Sequence, residues 1–231
     1  MAAMATTRRT SLAGRATTRS AGRSHVAGPR RHYGPLPTFV SRFTTHNNNA
    51  RRLKALNTEN LRAEVESDPT LSPPMRIGHG FDLHRLEPGY KLIIGGLDIP
   101  HDRGCVAHSD GDVLLHCVTD AVLGALCLED IGQLFPDNDP KWKGASSDIF
   151  MIEAMRLCDE MGYKVSNLDA TIIAQRPKLS PHKETIRDNV AELLRCDRRL
   201  VNIKAKTHEK VDSLGENRSI GCHCVVLLVR K

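Results

Sequence analysis

Asp82 and His84 stand two residues apart in the string RIGHGFDLHRL, and that spacing constrains the fold more than any other feature of the 231-residue chain. Extended backbone sends residues i and i+2 to the same face. A strand over Arg76–Leu86 therefore presents a carboxylate and an imidazole side by side. His116 comes much later, in a segment of helical period, so it must reach that pair from a second element. Two imidazoles and one carboxylate make a three-ligand set. Zn²⁺ held by such a set keeps a fourth position open for water or substrate, the catalytic rather than the structural pattern. Gly78 and Gly80, in the same strand, suit a close approach of backbone or ligand, or else mark a bulge.

The remaining elements follow from periodicity. Glu87-Pro88-Gly89 reads as a turn, and Lys91–Ile94 as a second strand returning beside the first in a hairpin. Gly95-Gly96 and Pro100 then break the pattern before a loop that reaches His108. Ser109 or Asp110 can cap the next helix, whose stripe of Leu114, Val118, Ala121, Val122, Ala125 and Leu126 faces the core. Asp112, His116 and Asp120 fall at i, i+4 and i+8, so the two carboxylates are candidates to orient the imidazole. Glu129–Ala145 has no sustained period and reads as a long functional loop. Ser147 can cap a helix through about Met161. Tyr163–Gln175 is a strand, RPKLSP a loop, Pro181–Leu194 a helix, and Val201–Thr207 and Cys222–Val229 the last strands. The order ββααβαββ predicts an α/β (α+β) fold, a small mixed four-stranded sheet with helices on one face plus a β-hairpin.

Charge and composition divide the chain unevenly. Residues 1–58 contain no Asp or Glu but carry eleven Arg and Lys among many Ser, Thr and Ala, the composition of an organelle transit peptide. Residues 59–74 are acidic, end in Ser-Pro-Pro, and read as a linker. The folded domain is expected over 75–231. Removing the eleven N-terminal cations from the net charge of +6 leaves −5 for residues 59–231. The folded part thus lacks the basic balance of a nucleic-acid binder. No apolar run approaches the roughly 20 residues of a membrane span, so a soluble protein is expected. Seven cysteines without a CxxC pair read as reduced thiols, with Cys222 and Cys224 as small buried side chains of a strand.

Single polar residues elsewhere say less. His108 and Ser109 precede a helix start, where N–H groups favour an anion, although taken alone a plain Ser cap is the better account of them. Thr207, Glu209 and Lys210 close a strand and could take a cation and a phosphate. Taken in order, however, RIGHGFDLHRL, IIGGLDIPHDRG, AHSDGDVLLH, DIGQLFPDNDP, IIAQRPK and KAKTHEK resemble the 2-C-methyl-D-erythritol 2,4-cyclodiphosphate synthases of the non-mevalonate isoprenoid pathway. The likeness spans residues 75–231, and KAKTHEKVDSLGENRSI is similar to the plant and algal members.

The resemblance implies a homotrimer with active sites between subunits, and a plastid location, the chloroplast stroma. It implies Zn²⁺ on Asp82, His84 and His116, and a second divalent cation, Mg²⁺ or Mn²⁺, on Glu209 at the substrate diphosphate. His108 and Thr207 take the transition-state positions, and His108 and Ser109 those of substrate contacts. Asp130, Ile131 and Gly132 correspond to ribose contacts, and Phe135, Pro136, Asp137, Asn138 and Asp139 to contacts with the methylerythritol part. Ala174, Pro177 and Lys178 correspond to a cytosine pocket. Ser213 and Glu216 stand where bacterial members have a Phe and an Arg, so those contacts do not carry over. The implied reaction is intramolecular phosphoryl transfer, converting 4-diphosphocytidyl-2-C-methyl-D-erythritol 2-phosphate to the 2,4-cyclodiphosphate and CMP. A zinc-dependent nucleotide-diphosphate hydrolase and a zinc-stabilised oligomeric binding module are the alternatives.

Overall fold

A computed structural model describes residues 72–231; the expected transit peptide, residues 1–58, and the linker as far as residue 71 lie outside the described residues. The strands are β1 (Met75–Pro88), β2 (Leu92–Ile94), β3 (Leu97–Ile99), β4 (Arg103–Val106), β5 (Tyr163–Ile173), β6 (Val201–Lys206) and β7 (Ser219–Arg230). The helices are α1 (Val113–Ala125), α2 (Ile131–Leu134), α3 (Asp148–Glu160) and α4 (Lys183–Leu193), with short 3-10 turns at Pro140–Trp142 and Arg198–Leu200.

Five strands form the main sheet in the order β4-β1-β7-β5-β6. β1 runs antiparallel to β7 from Met75↔Val229 to Arg85↔Ser219. β5 is antiparallel to β7 and parallel to β6, and α4 supplies the crossover that a parallel pair requires. The mixed α+β architecture is the one expected, with five strands instead of four in the main sheet and with β3 as a further strand in the segment read as a loop. Arg103–Val106, within the segment read as a loop, pairs with β1 through Arg85↔Val106 to Pro88↔Arg103. The hairpin also has different partners. Gly95 and Gly96 adopt φ of +59° and +74°, the double left-handed turn that glycines favour, so β2 folds back on β3 in a separate two-stranded sheet. β1 does not pair with β2 and bonds to β4 instead.

The core lies on one side of the main sheet. Gly78 and Gly80 of β1 and Ile220, Cys222, Cys224, Val226 and Leu228 of β7 are buried against the helices. α1 is buried almost all round, its expected stripe joined by Leu115, Cys117 and Leu123. A Cβ on Gly78 would lie 1.7 Å from the Ala121 carbonyl oxygen, and one on Gly80 1.9 Å from that of Cys117. Only glycine lets β1 lie directly on the backbone of α1. On the opposite face, Ile77 is 72% exposed, Phe81 51% and Val225 46%, with Met75 and Leu83 also exposed. The helix-free face thus leaves apolar side chains of β1 and β7 open, beside exposed His79 and His223 and the paired Asp169 and Lys204.

All seven cysteines are free thiols. Cys222 and Cys224 are buried as expected of strand side chains, and Cys224 Sγ lies 3.4 Å from Cys117 Sγ. Burial pushes the Cys105 and Cys158 thiols up to about 12, which keeps them protonated and inert. Among the described residues no helix is long and apolar enough to cross a membrane.

Candidate metal centre and cavity

The contact between β1 and α1 sets the site. Alternation places Asp82 and His84 on the same face as Gly78 and Gly80, toward α1. His116 lies on the first turns of α1, one residue before the carbonyl that abuts Gly80. His84 Nε2 is 3.1 Å from His116 Nδ1, and Asp82 Oδ2 is 3.1 Å and 3.2 Å from those two nitrogens. The three ligand atoms make a nearly equilateral triangle. A four-coordinate ion with bonds of about 2.0–2.1 Å sets its ligand atoms roughly 3.3 Å apart. The triad fits such an ion, and it is the one group of its kind found among the described residues. Burial pushes the Asp82 carboxyl up, but hydrogen bonds from His116 and His84 outweigh it and hold the group well below the usual carboxylate range. Asp82 therefore stays an anionic ligand.

The carboxylates expected to orient His116 do other work. Asp112, rather than Ser109 or Asp110, caps α1; its Oδ1 accepts from the Leu114 and Leu115 N–H groups and its Oδ2 from Gly96 N–H at 2.7 Å. Gly111, at φ +73°, turns the chain so that Asp112 is the last residue before the helix. Burial pushes the Asp112 carboxyl up to about 6 against those backbone donors. Asp120 accepts from Ile131 N–H at 2.8 Å and so anchors α2 beside the metal centre. Two serines meet the imidazole instead: Ser109 Oγ is 3.1 Å and Ser147 Oγ 2.8 Å from His116 Nε2.

A cavity of about 430 Å³ opens over the triad, within the range of small-molecule sites. Of the expected site residues it gathers His84, His116, His108, Ser109, Ile131, Gly132, Phe135 and Asp137. His108 lines the cavity, and its Nε2 is buried without a hydrogen-bond partner. Asp130 caps α2 through Gln133 N–H, and Asp139 caps the following 3-10 turn through Lys141 N–H. Pro136 and Asn138 occupy the turn between them and do not line the cavity. Trp142 and Phe150 were not anticipated. They pack on Phe135 with ring centroids 5.2 Å and 4.7 Å away and make an aromatic wall.

The other expected contacts lie elsewhere. Ala174, Pro177, Lys178, Thr207 and Glu209 are absent from the cavity lining. They cluster at the C-terminal ends of β5 and β6, where Ala174 N–H donates to Lys206 O at 2.9 Å and Thr207 Oγ1 to Glu209 Oε1 at 3.0 Å. Ser213 Oγ accepts from the Ser219 hydroxyl at 2.9 Å, and Arg218 is paired with Glu216 at 2.6 Å.

A triad able to hold a metal under an aromatic-walled cavity, carried by a mixed sheet, defines an α+β protein with a candidate metal centre and room for a small ligand. The chain belongs to the YgbB family, whose model matches residues 75–229. It is 73% identical to the chloroplastic 2-C-methyl-D-erythritol 2,4-cyclodiphosphate synthase of Arabidopsis thaliana over 71% of each chain. It is 51% identical to the synthase of Geobacter sulfurreducens over 68% of this chain and all of the bacterial one. Among solved structures, Plasmodium falciparum IspF in a CDP complex matches with a TM-score of 0.61 and 37% identity, over 68% of this chain and 97% of that one.

Proposed function

We propose that the chain cyclises 4-diphosphocytidyl-2-C-methyl-D-erythritol 2-phosphate to the 2,4-cyclodiphosphate with release of CMP. The convergence of Asp82, His84 and His116 beneath a cavity that also presents the unpartnered His108 Nε2 carries this reading. Zn²⁺ on the triad and Mg²⁺ or Mn²⁺ on Glu209 would supply Lewis-acid polarisation and charge screening at the diphosphate. The attacking 2-phosphate oxygen is already anionic, so the chain needs no strong general base; its task is positioning and charge stabilisation. His108 and Ser109 would grip phosphate oxygens, and Thr207 would donate to the charge that develops at transfer. Ile131 and Gly132, anchored by Asp120 and with Asp130 as their cap, would hold the ribose. Phe135 through Asp139 would hold the methylerythritol part. Ala174, Pro177 and Lys178 would hold the cytosine.

Within one chain the last group stands apart from the metal centre, which favours a homotrimer in which one subunit's triad meets the β5–β6 ends of the next. The open apolar face of β1 and β7 supports this assembly, since a monomer would leave Ile77, Phe81 and Val225 in water. The plastid is the site of action, as the chloroplastic relatives and the acid-free, Arg-rich N-terminus both suggest. The test is incubation of the full chain with the cytidyl substrate, Zn²⁺ and Mg²⁺ in ¹⁸O-labelled water. CMP and an unlabelled cyclic product are expected. Labelled, uncyclised product would identify a hydrolase instead.

A further inference from the structure

We propose that Ser147 and Asp110 form a positioning relay that fixes the tautomer of His116 and so aims its Nδ1 lone pair at the metal position. The inference rests on the reading of Asp82, His84 and His116 as a metal triad. Ser147 occupies the N-cap position of α3, yet its side chain makes no capping bond. Its hydroxyl bonds instead to Asp110 Oδ1 and to His116 Nε2, the latter at 2.8 Å. An ionised carboxylate can only accept. The Ser147 proton therefore goes to Asp110, and the oxygen is left to accept from His116 Nε2–H. With the proton on Nε2, Nδ1 carries the lone pair, and Nδ1 is the nitrogen that faces Asp82 and His84.

The relay is held rigidly. Asp110 Oδ2 accepts from Ser147 N–H at 3.0 Å, Oδ1 accepts from Asp112 N–H at 3.1 Å, and Asp110 N–H donates to Ala145 O at 3.0 Å. Ser147 is fully buried, so water does not compete for the imidazole. Ser109 Oγ lies farther from Nε2, at 3.1 Å, is less buried than Ser147 and accepts from Gly111 N–H, so the fully buried Ser147 is the stronger partner of the imidazole. The relay also joins the start of α3 to the loop before α1, which explains why a serine at a helix start gives up its cap.

The test is a double-mutant cycle read by Co²⁺ affinity on the full chain, titrated by the visible d–d absorption of the bound ion. Ser147→Ala is expected to weaken Co²⁺ binding by roughly 10- to 100-fold, with the melting temperature of the metal-free protein unchanged. Asp110→Asn keeps the hydroxyl but offers it an amide donor, which frees Ser147 to donate to Nε2 and favours the wrong tautomer. It should also weaken binding, and it covers the case in which Ser147→Ala disturbs α3. The double variant should lose no more than the worse single variant, because both act through His116. Wild-type affinity in both single variants, or losses that add, would overturn the relay. A wild-type chain that takes up no Co²⁺ would overturn the metal triad itself.

Discussion

The two ends of the main sheet are built differently. At β1 the functional groups are enclosed: glycines seat the strand on α1, and the cavity over the triad is walled by three aromatic rings. At the C-terminal ends of β5 and β6 Thr207 and Glu209 are exposed, and Glu209 and Lys210 take φ of +50° and +62°. β6 lies three strand spacings from β1, about 14 Å at about 4.8 Å each. The first end is complete in one chain. The second displays its polar groups away from the triad, which is the ground for the proposed homotrimer.

That contrast can be broken at either end. His116→Ala should reduce cyclisation by about 10³-fold or more and abolish metal uptake, with the secondary structure by circular dichroism intact. Phe81→Glu, on the helix-free face, should convert the proposed trimer to monomers in sedimentation analysis and remove activity while metal content is retained. Loss of metal together with the trimer would show that the triad is not independent of assembly. Gly80→Ala forces a Cβ against the Cys117 carbonyl and should destabilise the fold by about 3 kcal/mol, seen as an earlier urea midpoint and weaker metal binding.

The smallest effect is expected away from both ends. Lys231 and Arg195 hold the Asp159 carboxyl below its ordinary value. Because the folded value is the lower one, its contribution is present above the unfolded carboxylate pKa of about 4 and is lost as pH falls through the folded value. The pairs are partly exposed, so Asp159→Asn should cost about 0.5 kcal/mol at neutral pH and nothing in strong acid, with metal affinity unchanged.

The enclosed end was the more legible in the sequence. Alternation in RIGHGFDLHRL and the helical period from Leu114 place Asp82, His84 and His116, because β1 alternates regularly and α1 keeps its period although it is buried almost all round. β4 was hidden, since four residues containing an Arg and a Gly show no alternation. Gly95-Gly96 looked like a break when it is a tight turn, a difference set by positive φ at both positions. Ser147 looked like an ordinary cap, and only its distance from His116 reveals otherwise. Trp142 and Phe150 face the cavity from an irregular loop and the start of α3, where no period marks the inward side. The separation of Thr207 and Glu209 from the triad is a matter of strand order, and no local pattern encodes strand order.

The claim that one site needs two chains is tested most directly by complementation. His116→Ala and Glu209→Ala chains, each inactive alone, would be co-expressed with different tags and purified as mixed trimers. If the two halves come from neighbouring subunits, one of the three sites in every mixed trimer joins two intact halves, and cyclisation should return to about a third of wild type. Mixed trimers no more active than their parents would mean that each chain completes its own site, and the account would be wrong.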